Sequence, residues 1–251
     1  MNIVTEINAW REIRKELGSR TIGLVHTMGN LHDGHLSLVH HSKQENDATV
    51  VAIYINPMQF NQARDFELYP RTLDEDKSLL AQNEVDYLLI LSTDDLYPDH
   101  YQIQIHETEI SKELEGEYRP GHFNGMLTIV LKFLNIVQPT RSYYGEKDYQ
   151  QLLLIKKMTH ALFISSEIVS CATIRAEEGL ALSSRNRRLD LAQREYANHL
   201  PRLLQSNLTP EKIVCELEKL GFKVDYVVDK WQRRLAAVWL GDVRLIDNVP
   251  L

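Results

Sequence analysis

Apolar positions along the chain switch repeatedly between two spacings. Residues 5–17 place Ile7, Trp10, Ile13 and Leu17 at helical intervals and stop at Gly18. A short apolar run at 21–25 reads as a buried strand, followed by a glycine-containing loop and a helix to about Asn46. The β-branched run Ala48–Ile55 reads as a second buried strand ended by Asn56-Pro57. A helix from Thr72 to Asn83, opened by a Thr72/Glu75 capping box, leads to a strand at Val85–Leu91. Residues 101–107 alternate like a strand, and 107–114 has a competing helical pattern. The loop 115–122 precedes an apolar helix, Phe123–Val137, closed by Pro139. Strands at Ser142–Tyr144 and Glu167–Cys171 flank a helix from Tyr149 to His160. This alternation predicts an α/β fold with a Rossmann-like parallel sheet and helices on both faces.

The pattern changes near residue 173. A polar, glycine-containing stretch, Thr173–Asn186, is followed by helices at 190–206 and 210–220 and by alternating strands at 222–228, 234–240 and 243–246. The expectation is a domain over 1–173 that binds the ligands and a smaller α/β C-terminal domain over 174–251 acting as a lid.

Composition narrows the chemistry. Of 251 residues 43% are hydrophobic, enough for a sizeable core, and the net charge of −7 does not match the basic face of a nucleic-acid binder. Cys171 and Cys215 are too few and too far apart for a disulfide framework. Neither a signal peptide nor a membrane span is read, so the expected setting is cytoplasmic.

Loops at 26–35, 56–61 and 145–151 follow strands, where parallel sheets collect ligands. His32-Asp33-Gly34-His35 lies between a strand and a helix start, where unpaired backbone N–H groups and the helix dipole favour phosphate. Two imidazoles there can donate to phosphate oxygens; the bland alternative is a pair of surface or capping histidines. Zinc is rejected because no matching third and fourth ligand lies nearby. Lys147 and Asp148, in Gly145-Glu146-Lys147-Asp148, suit phosphate and ribose or form a solvated pair. Ser183, Ser184 and Arg185 offer hydroxyls and a guanidinium to phosphate, or a capped turn. Asn56, Gln59 and Gln151 have amides suited to a small carboxylate. A cluster of cations and donors with no Ser–His–Asp pattern and no Walker A motif suits phosphoryl or nucleotidyl transfer.

Seven ordered stretches carry a resemblance: 27–35, 56–60, 69–73, 119–123, 145–151, 179–186 and 244–248. Together they resemble the pantothenate synthetase (pantoate–β-alanine ligase) family, within the class I synthetase-like nucleotidyltransferases, over essentially the whole length. The resemblance implies an ATP-dependent ligase that joins pantoate to β-alanine through pantoyl adenylate, releasing AMP and pyrophosphate. It implies Mg2+ with ATP, a homodimer, and no nucleic-acid or membrane partner. By motif, Met28, Gly29, Asn30, Leu31, His32, Asp33, Gly34 and His35 line the ATP site, with Gly145, Glu146, Lys147 and Asp148. Ile174 and Leu182 meet adenine through backbone groups, and Ser183, Ser184 and Arg185 close on the phosphates. His35, His32, Lys147 and Arg185 are the implied catalytic set. Gln59, Gln151 and Asn56 are implied for pantoate and β-alanine, and Asp76 for a water-mediated Mg2+ contact. The family usually has Pro where this chain has His26, which predicts a looser entry to the loop, and this chain is shorter around Val228–Arg233. Two rivals share the phosphate chemistry: a nucleotidyltransferase that stops at the activated intermediate, and a non-catalytic nucleotide sensor.

Overall fold

The computed structural model describes residues 1–251. The chain divides into two compact units: Met1–Leu31, His35–Tyr144 and Gln150–Cys171 form the first, and His32–Gly34, Gly145–Tyr149 and Ala172–Leu251 the second. A single cut between 173 and 174 does not describe this division, because two short loop segments belong with the C-terminal residues.

The first unit is built on a six-stranded sheet, β1 (Asn2–Val4), β2 (Ile22–Thr27), β3 (Ala48–Ile53), β4 (Tyr87–Leu89), β5 (Arg141–Gly145) and β6 (Glu167–Cys171), in the order β1-β4-β3-β2-β5-β6. β2 pairs in parallel with both β3 and β5, and β4 in parallel with β3 and β1. Every residue of β3 is buried, as a strand flanked on both sides must be. β2 and β3 run in register to Thr27↔Ile53, so the loops that follow them leave the same edge of the sheet. Val25, Val51, Leu80, Leu88 and Tyr143 pack together beneath.

His26 lies inside β2, paired with Ala52. The strand continues through His26 to Thr27. The His26 ring packs on Phe133, with centroids 4.6 Å apart. Its Nε2 is buried without a hydrogen-bond partner, and burial pushes the imidazole down to about 4.

Other expectations are corrected. The alternating residues 101–107 form no strand, because no strand edge receives them; Ile103 is exposed and the Ile105 N–H donates to Thr128 Oγ1. β1 is an additional edge strand of three residues. Thr72 precedes the helix Leu73–Gln82 without a side-chain cap, so no capping box forms; its hydroxyl donates to Asp76 Oδ2 instead. Residues 115–118 form a short helix rather than a loop.

The second unit carries a three-stranded antiparallel sheet of β7 (Lys223–Lys230), β8 (Arg233–Leu240) and β9 (Val243–Pro250). The expected helix over 190–206 is two, Leu191–Ala197 and His199–Leu204. Pro201 lacks the N–H that would bond to Ala197, and its ring crowds that carbonyl, which breaks the helix at Asn198. Leu200, Ile213, Leu217, Phe222, Val238 and Leu245 form the core. The shortened stretch before Arg233 is a two-residue hairpin turn: Trp231 and Gln232 have φ of 55° and 61°. Two left-handed residues match the twist of the flanking strands.

Candidate active site

In the first unit the loop after β2 is tied down by one carboxylate. Asp76, only 3% exposed, accepts from the Leu31 N–H at 2.8 Å, the Asn30 N–H at 2.9 Å and the Thr72 hydroxyl at 3.1 Å. Gly29 donates to Thr27 Oγ1 at 3.2 Å. Both oxygens of Asp76 are thus engaged by protein donors, and no group of three or more His, Cys, Asp or Glu is placed to hold a metal ion. Asp76 is a backbone anchor for this loop.

The loop after β3 presents Gln59 on a short 3₁₀ turn, Pro57–Gln59. The helix His122–Val137 crosses this turn closely. A Cβ on Gly125 would come within 2.4 Å of the Met58 carbonyl carbon, so only glycine fits there. Asn56, fully buried, donates through Nδ2 to the Gly125 carbonyl at 3.0 Å and to Gln59 Oε1 at 3.3 Å. Its Oδ1 accepts from the Tyr97 hydroxyl at 2.9 Å. Burial raises the Tyr97 pKa, which keeps that donor protonated. The Asn56 amide thereby ties the turn to the helix that crosses it. It orients Gln59, whose Nε2 lies 2.9 Å from Met28 Sδ.

His122 and Arg119 join this group although sequence reasoning assigned them no role. His122 Nδ1 donates to the Gln59 carbonyl at 2.8 Å, which fixes the tautomer, and Nε2 faces Arg119 Nη1 at 3.2 Å. Arg119 also lies 3.7 Å from Glu115. The only earlier signal was the Arg-Pro-Gly-His-Phe stretch itself. Of the adjacent glutamines, Gln150 is buried and holds the Ile110 and Glu113 carbonyls and the Glu115 N–H. Gln151 is half-buried and open to another partner. His35 is half-buried at the third position of the helix Asp33–Glu45.

The second unit assembles the other candidates. The Gly34 N–H donates to His32 Nδ1 at 3.1 Å, so the ring proton sits on Nε2. A Cβ on Gly34 would lie 2.9 Å from that ring, and 3.8 Å from Leu182. Burial first, then the nearby charges of Lys147 and Arg187, hold His32 down to about 4 against the opposing pull of Asp33 and Asp148. His32 is therefore a neutral imidazole at pH 7. Lys147 Nζ lies 3.9 Å from Asp148 Oδ1. Arg187, exposed on the 3₁₀ turn Ser184–Arg188, was missed; its signal was the run Arg185-Asn186-Arg187-Arg188. Ser183 caps that turn by accepting from the Arg185 N–H at 3.2 Å. The Leu182 N–H donates to the Ile174 carbonyl at 2.9 Å, so one donor and one acceptor of the expected adenine contacts bond to each other. Glu146 pairs with Arg233 at 3.1 Å.

A sequence model of the pantoate-beta-alanine ligase family matches residues 2–250. The chain belongs to the pantoate–β-alanine ligase family. It is 48% identical over 252 residues to a pantothenate synthetase of Legionella pneumophila (strain Corby), covering 100% of both chains. A Coxiella burnetii (strain Dugway 5J108-111) pantothenate synthetase is 47% identical, over 99% of this chain and 96% of its own. Among solved structures, the pantoate-beta-alanine ligase of Francisella tularensis, crystallised with beta-gamma ATP and beta-alanine, superposes with a TM-score of 0.95 at 42% identity. That match covers 100% of this chain and 97% of the other. The family's parallel sheet and smaller C-terminal part are those described above. No helix is long and apolar enough to cross a membrane.

Proposed function

We propose that this chain condenses pantoate with β-alanine at the expense of ATP. The observation that carries the proposal is whole-length membership of the family, including a 42% identical relative crystallised with beta-gamma ATP and beta-alanine. In the first step a pantoate carboxylate oxygen attacks the α-phosphorus, the bond to the β-phosphate oxygen breaks, and pyrophosphate leaves. In the second, the free amine of β-alanine attacks the acyl carbon, the carbon–oxygen bond to AMP breaks, and the nitrogen releases its proton.

Both steps need positioning and charge stabilisation more than covalent help from the protein. His35, Lys147, Ser183, Ser184 and Arg185, with Arg187, face the phosphates in this reading. His32 donates from Nε2 as a neutral imidazole; a group held near 4 does not act as a proton donor at neutral pH. Asp148 and the Gly145 backbone meet the ribose. The Ile174 N–H and Leu182 carbonyl, outside the bond between these two residues, meet adenine. Gln59 and Gln151 hold pantoate. Mg2+ enters as the complex with ATP rather than on a resident protein site. A homodimer in the cytoplasm belongs to the same proposal, and light scattering tests the assembly.

The deciding measurement is release of AMP and pyrophosphate that requires both pantoate and β-alanine. ADP and phosphate as products overturn the mechanism, pantoate-independent pyrophosphate release points to a different nucleotidyltransferase, and ATP binding without turnover points to a sensor. Lys147→Ala and His35→Ala are each expected to lose about 2–4 kcal/mol of transition-state stabilisation in kcat/KM.

A further inference from the structure

The 244–248 stretch has no role in the reading above, yet β9 places one of its side chains against the turn that carries Lys147 and Asp148. Asn248 is 2% exposed and pairs with Leu235 across the β8–β9 ladder. Its Nδ2 donates to two successive carbonyls, those of Glu146 and Lys147, each at 2.9 Å. Its Oδ1 accepts from Arg233 Nε. Its backbone is held in turn: the N–H donates to Asp247 Oδ1 at 2.7 Å, and the carbonyl accepts from Arg175 Nη2 at 3.2 Å. Arg175 grips Asp247 with two bonds of 2.7 and 2.9 Å.

Arg233 extends the grip. Its Nη1 donates to Glu146 Oε2 at 3.1 Å, and its guanidinium lies over the Tyr149 ring, 4.7 Å from the centroid. The two-residue turn at Trp231–Gln232 makes Arg233 the first residue of β8. Glu146, Lys147 and Tyr149 are thus held through carbonyls, a carboxylate and a ring, while none of these contacts uses the side chain of Lys147 or Asp148. The clamp lines a cleft of about 630 Å³ within the second unit.

The chemistry of the clamp is specific to a carboxamide. Two carbonyl oxygens require two donors, and the Arg233 N–H requires an acceptor; Asn supplies both from one planar group. A carboxylate would set negative charge against the carbonyls, and an aliphatic side chain would leave them without these donors.

We propose that Asn248 and Arg233 are positioning residues for the nucleotide: they fix the Glu146–Asp148 backbone so that Lys147 and Asp148 are presented to ATP. The proposal rests on the ligase reading and deepens it. The test compares the full-length wild type with Asn248→Ala, Lys147→Ala and the double variant, by calorimetric ATP binding and by steady-state KM for each substrate. Asn248→Ala is expected to raise the KM for ATP about tenfold and to leave the KM for β-alanine within about twofold. In the double variant the loss of ATP affinity falls well short of the product of the two single losses, because the two residues act through one turn. Losses that multiply, or equal rises in both KM values, overturn the proposal. If Asn248→Ala does not fold, Arg233→Lys keeps the cation but not the planar fork. Its KM for ATP is then expected to rise about threefold with the KM for β-alanine unchanged, and an unchanged KM for ATP overturns the proposal. A wild type that binds no ATP refutes the ligase reading instead; a wild type that binds ATP, weakened by Lys147→Ala and untouched by Asn248→Ala, refutes only the clamp.

Discussion

The loops at 28–31 and 145–148, which the family resemblance implies for ATP, each have backbone groups held by a buried polar side chain, and the two anchors have opposite character. In the first, backbone N–H groups converge, and the anchor is a carboxylate, Asp76. In the second, backbone carbonyls converge, and the anchor is a carboxamide donating both its hydrogens, Asn248. The backbone groups to be satisfied select the anchor's chemistry. Where N–H groups gather, a full negative charge is stabilised by them; where carbonyls gather, only donors serve. Both arrangements rigidify a loop without using the groups it displays.

The most direct way to break this comparison is to change the anchor at the first loop. Asp76→Ala removes a buried charged acceptor from three donors and is expected to cost about 3–5 kcal/mol of folding stability. Urea denaturation measures it, and a loss under 1 kcal/mol would mean the loop holds itself. Asp76→Asn tests the polarity argument, since an amide returns one acceptor but turns a donor toward N–H groups; it is expected to recover less than half of the loss.

A smaller effect, read by pH, concerns the two histidines that flank the first loop. His26 and His32 have folded-state pKa values lowered to about 4 against 6.5 unfolded. Their contribution to stability is therefore complete above about pH 6.5 and is lost as pH falls from there toward 4, because the unfolded chain takes up the protons first. Between pH 7.5 and 5 the His26 term is about 2 kcal/mol, and the partly exposed His32 gives less. Denaturation across this range should show the slope flatten in His26→Phe; an unchanged slope would contradict the buried neutral ring at the entry to the first loop. The smallest expected effect is Thr72→Val, which removes one of the three donors to Asp76 at a cost of about 1 kcal/mol by the same measurement.

The parts legible in the sequence were those whose signal is local. The β-branched runs marked the central strands, and the strand–loop–helix spacing around His32 and Lys147 marked the loops. β1 escaped because three residues carry no readable period and owe their strand state to β4. Residues 101–107 misled for the converse reason, alternation without a partner edge. Of the site, the motif residues were visible, but their support was not. Asp76 lies 46 residues from Asn30, His122 lies 63 from Gln59, and Asn248 lies 101 from Lys147. Such contacts exist only after folding, so the sequence does not reveal that Asp76 holds the Asn30 and Leu31 N–H groups or that Asn56 joins Gln59 to Gly125. The neutrality of His32 was hidden in the same way, since it depends on burial and on the charges of Lys147 and Arg187.

The patchwork make-up of the second unit bears on recombination between relatives. It consists of three stretches, His32–Gly34, Gly145–Tyr149 and Ala172–Leu251. A chimera that exchanges only residues 172–251 sets a foreign Asn248 and Arg233 against resident partners at 146, 147 and 149. Crossovers that carry all three stretches keep every contact of the clamp within one parent. The inherited block in this protein is thus defined by who touches whom, and it is interrupted twice along the gene.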